Sequence, residues 1–172
     1  MIHRAIAFAN IDVKDFALDD PGRFLSNTWK LLPESNVPLR SRGGFSTKIH
    51  LSVDGLGNSL RFKLTAGQRH DITQAEALVT GYDTDYVIAD KSYDADAFRQ
   101  LLSDQGTIPV IPPRANRKHL YDYDTHLYKE RHLVECFINK IKQFRRVFSR
   151  FEKLASRYLG FLNLSAALIW LR

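Results

Sequence analysis

Two stretches of alternating apolar and polar residues, separated by a turn sequence, constrain the fold of this chain most strongly. In residues 44–54 (GFSTKIHLSVD) every second residue from Phe45 to Val53 falls on one side, and residues 59–67 (SLRFKLTAG) alternate in the same way after the turn GLGN. Such alternation is typical of a strand with one buried face, and a glycine-containing turn between two such runs predicts an antiparallel hairpin.

The residues after this hairpin predict parallel strands joined through helices. The stretch 70–81 (HDITQAEALVTG) predicts a helix with Asp71 as its N-cap. An apolar strand at 86–90 (YVIAD), a helix at 94–106 and a strand at 107–113 (TIPVIPP) follow. Because a strand–helix–strand unit normally places its two strands side by side and parallel, the predicted fold class is α/β, with a mixed sheet and flanking helices.

Both ends of the chain carry further predicted elements. RAIAFANID is a candidate first strand that ends at Asp12, whereas the remainder of residues 1–39 has no clean period. Two long helices are predicted near the C-terminus, one around residues 128–142 and one at 158–171. The second is predicted to be a buried helix, because it is apolar yet shorter than the roughly 20 residues that a bilayer span needs.

The basic residues of this 172-residue chain are unevenly placed. Lys and Arg number 25 against 19 Asp and Glu, and residues 114–118 and 140–150 hold eight basic residues and no acidic one. Such clusters favour a nucleic-acid partner, with a solvated cationic face as the alternative. Cys136, the single cysteine, is predicted to be a small buried residue. One cysteine builds neither a disulfide framework nor a cysteine zinc site, which fits a reducing cytoplasm.

The predicted helix at 128–142 (YKERHLVECFINKIK) has an unusual polar side. When successive residues are placed about 100° apart, Tyr128, Arg131, Glu135 and Lys142 fall on one side of the helix and the apolar residues lie opposite. Glu135 is then a lone carboxylate among cations, whereas an ordinary exposed helix more often mixes acids and bases in i,i+4 pairs. A carboxylate on a phosphate-attracting face is suited to hold Mg²⁺.

Asp90 is a second candidate carboxylate. It ends an apolar strand, and side chains at the carboxyl edge of an α/β sheet commonly face a crevice. The alternative is that Asp90 caps the turn before Lys91 and Ser92. Two divalent ions about 3.5–4 Å apart can activate the attacking oxygen and stabilise the leaving oxygen in phosphodiester chemistry. Asp90 and Glu135 supply two carboxylates for such ions, although their spacing in the sequence does not show that they meet.

These residues together resemble a bacterial insertion-sequence transposase of the DDE class, in the family with the Y-x2-R-x3-E-x6-K signature. Tyr128, Arg131, Glu135 and Lys142 match every signature position. The segment VIADKSYDADAF (87–98) resembles the family segment that holds the second catalytic Asp. RSRGGFSTKIHLSVDGLGN, GQRHDITQAEALV and the ending SAALIWLR are also similar to this family. The resemblance therefore runs from about Arg40 to Arg172, roughly three quarters of the chain.

The resemblance implies a ribonuclease H-like catalytic domain over residues 40–172 that cleaves and transfers DNA strands at terminal inverted repeats. It implies two divalent ions, Mg²⁺ or Mn²⁺, with Asp90 and Glu135 as catalytic residues and metal ligands. The expected partner is DNA, both the insertion-sequence ends and the target, with a homodimer as the assembly considered in that complex and no membrane partner. The implied location is the bacterial cytoplasm, at the nucleoid. The expected DNA-binding residues are Tyr128, Arg131, Lys142, Arg145 and Arg146.

Residues 1–39 depart from the family pattern. The family's first catalytic Asp lies on an early strand in a D-S-T-like context, and this segment contains no such tripeptide. Asp12 is the nearest candidate by position. The hypothesis for this atypical segment is an unrelated reading frame that leaves the transposase sequence truncated at its N-terminus.

Three functions stay open on the sequence: an active DNA transposase, a catalytically incomplete DNA-binding remnant of one, and a stand-alone ribonuclease H-like nuclease. The first two differ in whether a third carboxylate reaches Asp90 and Glu135. The signature residues favour transposition over a stand-alone nuclease.

Overall fold

The fold was analysed in a computed structural model of the chain. The structure describes residues 4–14, 40–41, 44–67, 69–118, 120–148 and 154–171. Of the atypical N-terminal segment, only residues 4–14 therefore lie within the described residues, and the side chain of Asp12 lies outside them.

A mixed sheet forms the centre of the described structure. Its order is β4-β3-β1-β5-β6, and β2 pairs with the beginning of β3. The β1–β3 and β3–β4 pairs are antiparallel, whereas β1–β5 and β5–β6 are parallel. The predicted hairpin, the parallel strands and the α/β class with a mixed sheet are thereby confirmed. The strands are β1 (Ala5–Lys14), β2 (Arg40–Ser41), β3 (Gly44–Asp54), β4 (Ser59–Ala66), β5 (Tyr86–Ala89) and β6 (Ile108–Val110).

The predicted first strand is confirmed as β1, which continues two residues beyond Asp12 to Lys14. It lies between β3 and β5, with Phe8 paired to Ser52 on one side and to Ala89 on the other. Because successive side chains of a strand point to opposite faces, Phe8 packs in one core cluster and its neighbour Ala7 in the other. This central strand is therefore buried on both faces.

The hairpin turn between β3 and β4 is held by Asp54. Its Oδ1 accepts hydrogen bonds from the amides of Leu56 and Asn58, both at 2.9 Å. Gly57 has φ +80°, which a residue with a side chain rarely adopts, and a Cβ added there would touch Leu133 at 3.5 Å. The turn thus depends on both its aspartate and its second glycine.

Helices cover both faces of the sheet. Buried residues of α1 and α2 form one core cluster with Ile6, Phe8 and Tyr93, and buried residues of α4 and α6 form the other with β3 and β4. No helix in the described part of the chain combines the length and the apolarity that a membrane crossing requires. The helices are α1 (Ala75–Val79), α2 (Asp96–Asp104), α3 (Thr125–Tyr128), α4 (His132–Ile141), α5 (Arg145–Phe148) and α6 (Ala155–Trp170).

The predicted helix at 70–81 is shorter than expected. Residues Asp71–Gln74 form a 3₁₀ turn, and only Ala75–Val79 are α-helical. The prediction of Asp71 as a side-chain N-cap is wrong, because its carboxylate accepts a hydrogen bond from the Lys48 ammonium of β3 at 2.8 Å. A cation from a neighbouring strand has taken the place of the backbone amides that a capping side chain would bind.

The predicted helix at 128–142 is also less regular than expected. A 3₁₀ turn at Lys129–Arg131 separates α3 from α4, so the regular angular spacing does not hold across it. The predicted apolar face is confirmed from Val134 onward, but the prediction of a buried Cys136 is wrong, since Cys136 is exposed.

The prediction of a buried C-terminal helix is confirmed for one face only. One face of α6 is buried through Tyr158, Leu162, Ser165 and Ala166. The other face is exposed, because only one side of the helix packs on the sheet and α4. Its exposed apolar residues include Leu164, Leu168 and Trp170, followed by Leu171.

Candidate active site

An open groove of about 630 Å³ lies at the carboxyl ends of β5 and β6. Parallel strands place their carboxyl ends at one edge of the sheet, which is where α/β folds commonly bind ligands. The turn after β5, the loop after β6 and the helical segment around α3 all reach this edge. The groove is lined by Asp90, Lys91, Ser92, Pro112, Arg114, Ala115, Tyr128 and Arg131.

Asp90 both caps a turn and lines the groove. Its Oδ1 accepts hydrogen bonds from the Ser92 amide at 2.7 Å and the Ser92 hydroxyl at 2.5 Å, which stabilises the 3₁₀ turn Lys91–Tyr93. The two interpretations of Asp90 left open by the sequence are therefore compatible. Among the described residues no group donates a hydrogen bond to the second carboxylate oxygen, Oδ2, which leaves it available to a ligand.

Tyr128, Arg131 and Glu135 follow one another along the helical side of the groove. Arg131 donates a hydrogen bond to Glu135 Oε1 at 2.5 Å. Burial raises the pKa of the Tyr128 phenol, Arg131 opposes this, and the charge of Asp90 adds to it. Tyr128 therefore stays a protonated hydroxyl near Asp90. The i,i+4 pair of Arg131 and Glu135 corrects the expectation that Glu135 would stand without such a partner.

The structure brings Asp90, Tyr128 and Arg131 to one groove. Glu135 is connected to this groove through its hydrogen bond with Arg131. The carboxylates of Asp90 and Glu135 are chemically suited to a hard divalent cation, because such a cation prefers oxygen ligands. Among the described side chains no cluster of three or more Asp, Glu, His or Cys residues is close enough to hold a metal ion. Of the two predicted metal ligands, Asp90 lines the groove and Glu135 is reached through Arg131.

The remaining predicted DNA-binding residues lie farther along the chain. Lys142 is exposed and follows the last residue of α4. With a rise of about 1.5 Å per residue, it lies roughly 16 Å along the axis from Arg131. Arg145 begins α5, and the side chain of Arg146 lies outside the described residues.

Asp12 lies on β1 opposite Lys48. The β1–β5 pairing ends at Phe8 and Ala89, the residue before Asp90. At about 3.3 Å per strand residue, the backbone of Asp12 is roughly 10 Å beyond the level of Asp90. Its assignment as the first catalytic carboxylate stays a prediction.

A buried ionic cluster behind the groove was missed by the sequence analysis. The side chain of Asp94 is 0% exposed and accepts hydrogen bonds from Arg99 Nε at 2.8 Å and Arg117 Nε at 2.7 Å. Its Oδ2 also accepts the Arg114 amide at 2.9 Å. Burial alone would raise the pKa of Asp94, but these hydrogen bonds outweigh it and lower the pKa to about 2.

The same cluster determines the course of the loop after β6. Arg117 also pairs with Asp96, and Arg99 donates to the Ile111 carbonyl at 2.6 Å. The guanidinium groups of Arg99 and Arg117 lie 4.5 and 4.7 Å from the ring centroid of Tyr121. Part of the basic cluster at 114–118 is therefore engaged inside the fold.

A second buried polar group lies between the strands and the Asp90 turn. Tyr93 is fully buried, packs edge-on against Phe8 with ring centroids 4.6 Å apart, and has its hydroxyl 3.5 Å from His50 Nδ1. His50 Nε2 lies 2.8 Å from the Thr65 hydroxyl. Burial lowers the pKa of His50 to about 4, so its ring is neutral near pH 7.

Comparison with known proteins identifies similar sequences along most of the chain. Residues 35–170 match the family model described as transposase DDE domain. A Brucella ovis protein named as a transposase for insertion sequence element IS6501 is 42% identical over 129 residues, covering 74% of this chain and 99% of that protein. A Burkholderia cepacia protein named as a transposase for insertion sequence element IS402 is 28% identical over 185 residues, covering 95% of this chain and 84% of that protein.

Two solved structures are similar at low sequence identity. A piggyBac transposase synaptic complex with hairpin DNA has a TM-score of 0.43 and 9% identity, and the match covers 68% of this chain and 24% of that one. A Mos1 transposase paired-end complex with the left transposon end has a TM-score of 0.40 and 16% identity, and the match covers 96% of this chain and 56% of that one.

Proposed function

The chain belongs to the DDE transposases of bacterial insertion sequences, and on that premise we propose that its groove cleaves and transfers DNA strands at terminal inverted repeats. The observation that carries the proposal is the convergence of Asp90 with Tyr128 and Arg131, which lie about 40 residues away in the sequence, on one groove. Arg131 extends this set to Glu135. Family membership favours a transposase over a non-catalytic remnant.

DDE transposases generally use divalent metal ions. We propose two ions, Mg²⁺ or Mn²⁺, with Asp90 and Glu135 as ligands. When bound, such ions activate the attacking oxygen and stabilise the leaving oxygen of a phosphodiester. The carboxylate chemistry supports this assignment, since Oδ2 of Asp90 is recorded with no donor within the described residues and Glu135 is exposed.

The proposed work of the protein's own residues is to hold the DNA strand. Arg131 presents guanidinium donors and Tyr128 a protonated hydroxyl, and both suit phosphate oxygens. Because Arg131 is paired with Glu135, the carboxylate becomes free for a cation when a phosphate takes its place beside the guanidinium. Lys142, Arg145 and Arg146 would contact the DNA beyond the groove.

The wider proposals follow from the same function. Residues 40–172 would form the catalytic domain, with Asp12 as the candidate third carboxylate. The protein would act in the bacterial cytoplasm at the nucleoid, and two copies would hold the paired element ends.

The test is strand cleavage of labelled duplexes that carry the terminal inverted repeats of the encoding element, with Mg²⁺ or Mn²⁺. Asp90→Asn should abolish cleavage while DNA binding remains. Asp104→Asn is the matched control, because this exposed carboxylate at the end of α2 lies outside the groove lining. Wild-type chain that binds the ends but cleaves no better than Asp90→Asn would favour the binding remnant. Asp12→Asn tests the third carboxylate in the same assay.

A further inference from the structure

We propose that Lys91 and Arg114 form a second phosphate-binding pair on the Asp90 groove, and that Asp94 holds Arg114 in position. This inference rests on the proposed function, because it takes DNA as the occupant of the groove. Neither Lys91 nor Arg114 belongs to the Tyr-Arg-Glu-Lys signature, so the pair adds a second binding surface.

Both residues lie on the part of the groove formed by the strand ends. Lys91 directly follows Asp90, and Arg114 follows the two prolines after β6. Both side chains are exposed and both line the groove with Asp90. Arg131 lines it from the helical segment. A strand in this groove would therefore meet cations from the sheet edge as well as from the helix.

Arg114 is oriented without being neutralised. Its Nε donates to the Lys91 carbonyl at 3.1 Å and its Nη2 to the Ser92 carbonyl at 2.7 Å. These acceptors are uncharged, and no carboxylate among the described residues is recorded as a salt-bridge partner of this guanidinium. A guanidinium has five N–H donors, so the others stay available for a phosphate.

Arg117, three residues later, shows the contrasting arrangement. Its guanidinium is paired with Asp94 and Asp96, and only 14% of its side chain is exposed. The charges of Arg99 and Arg117 are balanced by those of Asp94 and Asp96. The basic stretch 114–118 is thus divided between a structural arginine and one that faces the groove.

Asp94 connects these parts of the structure. One oxygen accepts from Arg99, which also holds the carbonyl of Ile111, the residue directly after β6. The other accepts both Arg117 and the backbone amide of Arg114. The start of the loop is therefore fixed relative to α2, and the Arg114 side chain reaches back over the Asp90 turn from this fixed point. Asp94 is a positioning residue in this scheme.

The first experiment measures affinity for an inverted-repeat duplex between about 50 and 200 mM salt. Arg114→Ala and Lys91→Ala should weaken binding several-fold and each reduce the slope of log K against log salt by about 0.9, the value for one lost phosphate contact. Lys118→Ala is the matched control, since Lys118 carries the same charge on the same loop but does not line the groove. Equal losses in all three variants would show a general charge effect and overturn the proposal.

Arg131→Ala separates this inference from the proposed function. If Arg131→Ala weakens binding while Arg114→Ala and Lys91→Ala do not, the second pair is wrong and the proposed function stands. If none of the three weakens binding, both the pair and the DNA groove are wrong.

The second experiment distinguishes a positioning role of Asp94 from the effect of net charge on DNA binding. Asp94→Asn and Asp96→Asn each raise the net charge by one, so an unspecific charge effect would tighten DNA binding in both. The positioning role predicts that Asp94→Asn instead weakens binding and that adding Arg114→Ala then has little further effect. Tightening by Asp94→Asn to the same extent as by Asp96→Asn would overturn that role. Should Asp94→Asn fail to fold, Asp94→Glu keeps the charge but displaces the carboxylate, and the same loss of the Arg114 effect is expected.

Discussion

Two arginine–carboxylate contacts near Asp90 have the same chemistry and different surroundings. In the contact between Asp94 and Arg99 the side chains are 0% and 7% exposed, whereas in the contact between Glu135 and Arg131 they are 55% and 27% exposed. The first contact has further partners in Arg117 and Arg114. The second lies on the surface, beside the groove.

The difference in burial separates a structural role from a functional one. Removing one partner of a buried ion pair leaves a charge without solvent, which is strongly destabilising. An exposed pair contributes little to stability, because water replaces the lost partner. Under the proposed function, the exposed carboxylate of Glu135 would exchange its arginine for a cation. The buried carboxylate of Asp94 maintains the loop after β6 that forms part of the groove.

The largest effect should come from Glu135→Gln measured on activity. We expect strand cleavage to fall by about a thousandfold or more, since the loss of several kcal/mol of transition-state stabilisation corresponds to that factor. The midpoint of thermal unfolding should move by only a few degrees, because the lost pair is exposed. If the variant cleaves normally, or loses activity only because it unfolds, the Glu135–Arg131 contact has no functional role that distinguishes it from the Asp94–Arg99 contact.

The largest effect on stability should come from Asp94→Asn. Breaking the buried contacts should lower the free energy of unfolding by about 3–5 kcal/mol, or roughly 10 °C in melting temperature for a chain of this size. Asp96→Asn is the control, since Asp96 pairs with the same Arg117 from an exposed position. Comparable melting temperatures for the two variants, measured by circular dichroism, would contradict the importance of burial.

The pH dependence of stability should report the buried groups as well. The pKa of His50 is about 4 in the fold, below its unfolded value of about 6.5, because burial disfavours the charged ring. The unfolded chain therefore binds the proton first, and stability should be full above pH 6.5 and decrease as the pH falls toward 4. In the His50→Gln variant, the urea concentration at the unfolding midpoint should change less between pH 6.5 and pH 4 than in the wild type. If the urea midpoint of the variant depends on pH as steeply as that of the wild type, His50 is not the source of the pH dependence.

The smallest effect should be on DNA affinity in the absence of metal. Glu135→Gln should tighten binding by about threefold, since an exposed pair of this kind is worth less than about 1 kcal/mol and its loss frees Arg131 for a phosphate. Glu130→Gln, which removes a charge from the same segment outside the groove lining, is the matched control. Equal tightening by both would show only the change in net charge.

Local patterns predicted the sheet and the position of Asp90. The alternation in β3 and β4 and the apolar run Tyr86–Ala89 are properties of neighbouring residues, and burial of one or both faces follows from them. The signature residues were identified from helical spacing together with the family resemblance. The Arg131–Glu135 pair could also have been found, since i,i+4 spacing brings such side chains together.

The Asp94 cluster could not be predicted by these means. DADAF reads as the polar start of a helix, and RANRK reads as a cationic loop. Their contact joins residues 94 and 117 and depends on where the loop after β6 passes α2. No local period encodes that path. Cys136 was misjudged for a related reason, since the edge of a helix's apolar face is decided by the neighbours that pack there.

The central position of β1 has a consequence for the order of folding. The parallel partner of this strand, β5, lies about 80 residues later in the chain. Contacts between such distant segments form slowly, because the intervening chain must first lose much of its freedom. During synthesis the antiparallel β1–β3–β4 unit can pair first, while the other edge of β1 stays open until β5 emerges. Asp90 lies directly after β5, so its place in the groove depends on this long-range β1–β5 pairing.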